Sequence, residues 1–300
     1  MAYRFRKEEP ISAGIRRIAR ERVDKALGHL SSDRDDGVHE ARKRFKEIRA
    51  VLRLASHALG DRFVIENRRY RDLGRALSEA RDAQAAVETW DKLCARFRDE
   101  IGETDARAVH RRLQLRRRDV LAGDADGGPG SGRVSERLAA AREAIAGWRF
   151  SDSRFVIIQE GLVEHYAKGR RGLRRAYAGG RDEQFHAWRK RIKNQWYHTT
   201  LLEPVWEAGL GTRKKSLKAL SDLVGDDHDL AVFSSLLAGE PQLFGLPASR
   251  QTVASLIAIR QAELRGDAHE LGSLLYAEKP KAFGRRIAAY WSAWKANGSD

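Results

Sequence analysis

The sequence has very little cysteine and proline and no long apolar run, and each of these shortages excludes certain classes of protein or structure. Cys94 is the only cysteine in 300 residues, which excludes an internal disulfide and a cysteine metal cluster. No segment approaches the roughly 20 consecutive apolar residues of a membrane helix. The first residues, MAYRFRKEEP, lack the apolar run of a signal peptide. We therefore expect a soluble, cytoplasmic protein that has no membrane partner.

The six prolines leave long segments free to form helices, and apolar residues recur in them at three- and four-residue spacing. No segment shows the alternation of a strand, so the pattern predicts an all-α protein. The predicted helices lie near 10–30, 36–58, 62–99, 103–121, 133–147, 153–178, 182–203, 212–238, 249–277 and 280–296. The segment AGDADGGPGSG, residues 122–132, is the clearest linker.

Basic residues outnumber acidic ones, 57 to 42, and give a formal net charge of +15. Of the basic residues 43 are Arg and 14 are Lys. Arginine offers a planar fork suited to phosphate oxygens, although codon bias in a GC-rich genome would also enrich it. The net charge itself favours a polyanionic partner over a neutral metabolite.

An internal repeat is the most informative feature of the sequence. HEARKRFK, which begins at His39, matches HAWRKRIK, which begins at His186, at five of eight positions. LSEARDA, from Leu77, lies opposite VGDDHDL, from Val224, at the same offset of 147 residues. A constant offset indicates a duplicated helical unit within one domain that spans 1–300. We place repeat one at about 10–121, the linker at about 122–132 and repeat two at about 153–296.

The repeated helix carries a stripe of cations at about 100° per residue, and apolar residues occupy the opposite face. Like charges one turn apart repel each other, whereas ordinary solvated faces mix signs. Two such stripes therefore predict an anion-binding site rather than a solvated face. Its candidate residues are His39, Arg42, Lys43, Lys46, Arg53, His186, Arg189, Lys190 and Lys193.

The histidine that opens each stripe has several possible roles. We rank a hydrogen bond from the ring to a bound phosphate first, a structural role second and catalysis third. A metal site is disfavoured because dense Arg and Lys would repel the ion, so no cofactor is expected.

Further basic helix faces supply a second tier of candidates, which would complete a pocket or channel. These are Arg111, Arg118, Tyr166, Arg170, Arg174, Arg260 and Arg265. The second repeated element carries Asp82 and Asp229. We interpret both as structural acceptors for basic residues on neighbouring helices. The alternative, suggested by the His-Asp pair in GDDHD, is the metal site of a phosphohydrolase.

The duplicated His-x-x-Arg-Lys-x-x-Lys helix, followed by a helix with Arg-Asp or His-Asp, resembles the CHAD family of conserved-histidine α-helical domains. The resemblance covers nearly the whole chain, including VHEARKRFKEIRAVLRL, FHAWRKRIKNQWYHTTLL and LVGDDHDLAV. Ser78 departs from it, since the family usually has Gly there. No Glu-x-Glu-x-Lys strand of a CYTH triphosphate-tunnel domain occurs in residues 1–40, so the chain resembles a stand-alone member and no triphosphatase activity is implied.

The resemblance implies two pseudo-symmetric four-helix bundles whose basic faces line a groove or cavity that binds inorganic polyphosphate. It carries the family's histidines onto His39 and His186. We expect a non-enzymatic protein that acts as a targeting or regulatory module. Its further partners would be polyphosphate granules or polyphosphate-metabolising enzymes, and its location would be the cytoplasm, in association with granules. Two alternatives stay open: an enzyme that processes phosphate chains, and a nucleic-acid-binding protein, which is less favoured because Phe185 and Trp188 face away from the stripe.

Overall fold

The computed structural model describes residues 3–32, 37–77, 79–125, 131–152 and 154–297, and the side chains of all of these except 79–82, 121–125 and 131–132. Every regular element in this part of the chain is a helix. The α-helices are α1 Ile11–Leu30, α2 Gly37–Leu54, α3 Ser56–Leu59, α4 Asp61–Arg75, α5 Glu79–Arg96, α6 Glu103–Ala125, α7 Ser131–Ala144, α8 Val156–Gly179, α9 Asp182–Leu202, α10 Glu207–Gly239, α11 Pro247–Leu275 and α12 Pro280–Ala296. Within the described ranges no helix is both long and apolar enough to cross a membrane.

Local sequence explains where several helices begin and end. Pro247 and Pro280 open α11 and α12, because a proline ring presets φ and the first helical position needs no N–H donor. Gly180 follows α8 with φ of 68°, a left-handed conformation that suits glycine, and its N–H donates to the carbonyl of Ala176. The turn at Gly180 reverses the chain so that α9 packs back along α8.

The predicted all-α class is confirmed, while two predicted helices are each divided. The segment 36–58 breaks at Ala55, between α2 and α3, and the segment 62–99 breaks after Arg75, between α4 and α5. Ser78 lies outside the described residues. The predicted linker 122–132 is shorter than expected, because α6 continues to Ala125 and α7 begins at Ser131; residues 126–130 lie outside the described part.

The helix order is compatible with a duplication. At the offset of 147 residues, α1 aligns with α8, α2 with α9, α6 with α11 and α7 with α12. Helix α10, with 33 residues, covers the positions of both α4 and α5 as one continuous helix. The symmetry of two bundles stays a prediction.

Two hydrophobic clusters hold the helices together, and each combines helices from both halves of the chain. The larger cluster joins α1 to α4, α7 to α9, α12, the first half of α10 and the last part of α11. The smaller cluster joins α5, α6, α11 and the second half of α10, with Trp90, Phe233 and Phe244 in mutual ring contact. The long helices α10 and α11 therefore link the two cores.

A close helix crossing positions the two cationic helices. Gly161 of α8 packs against the end of α2, where an added Cβ would lie 2.1 Å from the carbonyl oxygen of Leu54. Only glycine permits this approach. Because α8 also packs along α9, the crossing brings α2 and α9 side by side, with one stripe on each.

Candidate functional site

The two predicted stripes meet at a cavity of 460 Å³ between α2, α4 and α9. Ten of its sixteen lining residues are arginine or lysine, one is histidine and none is acidic. The lining consists of Arg42, Phe45, Lys46, Arg49, Arg53, Tyr70, Arg71, Gly74, Arg75, His186, Arg189, Lys190, Arg191, Lys193, Asn194 and Tyr197.

Helix α2 forms one wall of the cavity with four cations at three- and four-residue spacing, Arg42, Lys46, Arg49 and Arg53. The opposite face of α2 is apolar and lies in the larger core, which fixes the orientation of the helix. Arg42 also caps the end of the α4 region, because its Nη1 donates to the carbonyl of Leu77 at 2.5 Å.

Helix α9 forms the facing wall. Its four cations, Arg189, Lys190, Arg191 and Lys193, lie within about one turn. Trp188, just before these cations, and Ile192, among them, are completely buried, and this anchors the helix so that its basic side faces α2.

Helix α4 closes the third side with Arg71 and Arg75, one turn apart. Arg71 also forms an ion pair with its neighbour Asp72 at 2.9 Å, just outside the lining. Gly74 of the same helix faces the ring of Phe45, where an added Cβ would lie at an ordinary contact distance of 3.8 Å.

The floor of the cavity holds a half-buried arginine, Arg53. Arg53 donates from Nη1 to the Oδ1 of Asn194 at 3.1 Å, a contact that joins α2 to α9. Desolvation, together with the charges of Arg49 and Arg191, lowers the pKa of Arg53 to about 9. A guanidinium held among other cations in a low-dielectric site binds an anion more strongly than the same group in water.

Other cations of the cavity also lie close enough to repel one another. Desolvation lowers the pKa of Lys190, and the charges of Arg191, Arg189 and Arg49 add to the effect. The pKa of Arg49 is also lowered, first by desolvation and then by Arg71 and Arg75. A bound polyanion would offset this repulsion, so the arrangement favours ligands with several closely spaced negative charges.

The two predicted histidines lie in different surroundings. His186 lines the cavity, and desolvation together with His228, Lys190 and Arg189 lowers its pKa to about 4. His39 is exposed near the start of α2 and is not part of the lining. Lys43 is also outside the lining, and its Nζ forms an ion pair with Glu40 at 3.3 Å. The structure thus brings seven of the nine candidates together.

The second tier lies away from the cavity. Tyr166 is the clearest correction, since it is 0% exposed, stacks on Phe283 with ring centroids 4.2 Å apart, and donates its hydroxyl to the carbonyl of Glu278. It is a core residue because both faces of its ring are covered. Arg265 pairs with Asp227 at 2.7 Å.

The other members of that tier are also distant from the lining. Arg170 donates to the carbonyl of Tyr276 at 3.0 Å, and Arg260 pairs with Glu263 at 2.7 Å. Arg111, Arg118 and Arg174 are exposed on α6 and α8.

Two aspartates of the GDDHD segment form ion pairs with basic residues on neighbouring helices, and the structural role of Asp229 stays a prediction. Asp227 is 2% exposed and accepts from Arg265, while Asp226 pairs with Lys92 at 2.7 Å and so joins α10 to α5. Asp229 lies beside a depression lined also by Lys92 and Arg260. The side chain of Asp82 lies outside the described residues. In the described part, no three His, Cys, Asp or Glu side chains are grouped to hold a metal ion.

Sequence reasoning missed four cations of the lining, Arg49, Arg71, Arg75 and Arg191. Arg49 lies about 20° beyond the edge of the predicted face, so a wider arc would have included it. The arginines of α4 have no histidine-led motif, and only the tertiary packing of α4 against α2 brings them to the site.

The fold and the site together define an all-helical protein with a cationic cavity between paired basic helices. The CHAD domain family model matches residues 17–238, so the chain belongs to the CHAD domain family. Among solved structures, PptA from Streptomyces chartreusis is similar, with 13% sequence identity over 90% of this chain and 100% of that chain and a TM-score of 0.58. This likeness supports the fold alone. No curated protein matches the chain.

Proposed function

We propose that this protein binds inorganic polyphosphate in the cavity between α2, α4 and α9, and that it acts by binding without chemistry on the ligand. The observation that carries the proposal is the lining itself, with ten cations from three helices and no acidic residue. Membership in the CHAD family, which is associated with polyphosphate binding, supports the same ligand.

The chemistry of polyphosphate fits this lining. The polymer carries about one negative charge per phosphate and no bases, so its recognition needs closely spaced donors along a track. Arginine and lysine donate charge-assisted hydrogen bonds to phosphate oxygens. The cavity places such donors on three walls, and a chain that threads between them would contact several at once.

The same cavity is a poor site for nucleic acid. Stacking on bases requires accessible aromatic faces. The three aromatic rings of the lining, Phe45, Tyr70 and Tyr197, are at most 7% exposed. The rings therefore support the walls and leave recognition to the cations, which favours a ligand without bases.

The test is a titration of the full chain with long-chain polyphosphate and, in parallel, with double-stranded DNA at matched phosphate concentration, from low to physiological salt. We expect polyphosphate to bind more tightly than DNA at every salt concentration, with no release of orthophosphate on prolonged incubation. Equal affinity for the two polymers would refute the proposed ligand, and orthophosphate release would refute binding without chemistry.

A pair of charge reversals tests the location of the site. Lys190→Glu changes a cavity residue of α9, and Arg174→Glu changes an exposed residue of α8 by the same two charges. We expect Lys190→Glu to abolish tight polyphosphate binding and Arg174→Glu to weaken it only slightly. An equal loss in both variants would place binding on the general surface charge.

As a binding module, the protein would act where polyphosphate accumulates. We propose polyphosphate granules, or the enzymes that make or consume the polymer, as its cellular context. Co-localisation with granules in cells, lost in the Lys190→Glu variant and retained in Arg174→Glu, is the corresponding observation.

A further inference from the structure

A second histidine lies directly against the cavity histidine. The ring of His228, from GDDHD on α10, packs against the ring of His186 in a tilted arrangement, with centroids 4.0 Å apart and planes inclined at 30°. His186 lines the cavity, while His228 lines an adjacent depression between α5 and α10. The Nδ1 atom of His186 is shielded from solvent and has no hydrogen-bond partner. The pair therefore connects the cavity to the neighbouring surface.

The groups around the pair are mainly cationic. Helix α9 contributes Arg189, Lys190 and Lys193, and one carboxylate, Asp182. On α10 and α11, Asp227 is paired with Arg265, and Asp229 lies next to His228 in the sequence. From the first half of the chain, Arg116 of α6, which pairs with Glu240, and the apolar Ala85 and Ala86 of α5 line the depression.

These surroundings keep both rings neutral near neutral pH when no anion is bound. Desolvation, together with the charges of Arg189, Lys190 and Lys193, lowers the pKa of His228 to about 4. An anion beside the pair would raise the pKa of the rings, because its negative charge offsets the cations and stabilises an imidazolium. Since two imidazolium rings at this separation repel each other, the pair should take up one proton in total.

We propose that His228 is a further phosphate-binding residue, which acts with His186 as a contacting pair that takes up one proton from solvent when polyphosphate binds. The protonated pair donates N–H groups to phosphate oxygens, and no bond to phosphorus forms or breaks. This inference rests on the proposed function, and it adds a residue of α10 to a site otherwise built from α2, α4 and α9.

The repeat offers an internal comparison. At the offset of 147 residues, the position of His228 corresponds to Arg81 in repeat one. The chain thus has a permanent cation at one position and a titratable one at the other. Proton-linked binding would make the affinity of the second half respond to pH in the range where histidine titrates.

The experiment measures polyphosphate affinity of the full chain by calorimetry from about pH 8 to about pH 5.5, with chains long enough that their terminal phosphates contribute little. At each pH the titration is repeated in two buffers of different ionisation enthalpy, which gives the number of protons taken up. We expect uptake to rise toward one proton as pH falls, and affinity to increase by up to about tenfold per pH unit.

Three variants separate this inference from general electrostatics. His228→Gln should take up fewer protons than the natural chain over the same pH range and show a flatter pH profile, because only the ring of His186 remains to be protonated. His228→Arg should bind tightly at about pH 8 and respond little to pH, because its charge is permanent. His110→Gln, an exposed histidine of α6 paired with Asp91, should keep the profile of the natural chain. Melting temperatures verify that each variant is folded.

The outcomes distinguish the two proposals. No polyphosphate binding by the natural chain at any pH would overturn the proposed function. Tight binding without proton uptake, or the same uptake in His228→Gln as in the natural chain, would overturn the role of His228 and leave the cavity site intact.

Discussion

Arg49 of α2 and Lys190 of α9 lie on facing walls of the cavity, close enough that the charge of Arg49 lowers the pKa of Lys190. We consider the double variant Arg49→Ala/Lys190→Ala, which removes one cation from each wall. A matched control, Lys43→Ala/Arg174→Ala, removes the same net charge from two residues that the sequence singles out and the structure places outside the cavity. The comparison separates the cavity from the charge of the whole molecule.

The expected loss follows from the contacts removed. A hydrogen bond to a charged group contributes about 1.5–3 kcal/mol, and because Lys190 is solvent-exposed we take the lower end for both residues. The double variant should therefore lose about 3 kcal/mol, which is about 100-fold in Kd. The control should lose about threefold or less, because screened surface charges act weakly.

The slope of binding affinity against salt concentration provides a second, independent quantity to measure. Each phosphate contact contributes about 0.7 to the slope of log K against log salt, as measured for single-stranded polyanions. Ten contacts in the cavity correspond to a slope of about −7, and removal of two should reduce its magnitude by about 1.4. The assay is fluorescence anisotropy of labelled long-chain polyphosphate at five or more salt concentrations.

The result that would refute this reasoning is a control variant that loses as much affinity, and as much of the salt slope, as the cavity variant. Binding would then depend on total charge, and the convergence of α2 and α9 would have no part in it. Unchanged affinity in the cavity variant would have the same meaning.

Two further predictions concern stability. Gly161→Ala should lower the free energy of unfolding by about 1–3 kcal/mol, because the new methyl group overlaps the carbonyl oxygen of Leu54. Gly28→Ala in α1, where a Cβ meets nothing within 4 Å, should raise the free energy of unfolding by about 0.5–1 kcal/mol. Denaturant unfolding measures both changes. Acid should destabilise the protein through His165 and His198, whose pKa values burial lowers to about 2 and about 3. Because the unfolded chain binds protons more readily, stability present above about pH 6.5 is lost as pH falls toward these values, by up to about 1.4 kcal/mol per pH unit for each ring. His165→Phe should flatten the pH dependence of the melting temperature below about pH 6, and an unchanged profile would contradict this assignment.

Much of the helical structure and of the cavity walls could be predicted because their causes are local. The spacing of Phe45, Ile48 and Leu52 orients α2 whatever packs against it, and the same periodicity places Arg42, Lys46 and Arg53 on the opposite side. Repetition of the pattern at His186 identified α9 as the second wall. These predictions required no knowledge of the partners of either helix.

Predictions that depended on distant partners were less successful. Tyr166 shares a helical face with Arg170, yet Phe283 and the carbonyl of Glu278 enclose it, and both belong to a segment more than 100 residues away. The sequence pattern also assigns Arg265 to a basic helix face, but its guanidinium forms ion pairs with Asp227 and Asp182. A helical wheel contains no information on such partners.

The sequence by itself determined that this protein is helical, internally repeated and cationic along two helices, because helix periodicity and net charge are properties of neighbouring residues. The tertiary structure decided which cations converge. The approach of α8 to α2 at Gly161 and the packing of α4 against α2 bring Arg49, Arg71 and Arg75 to the same cavity as Lys190. Electrostatic repulsion and anion binding depend on distances in space, and only the folded chain sets those distances.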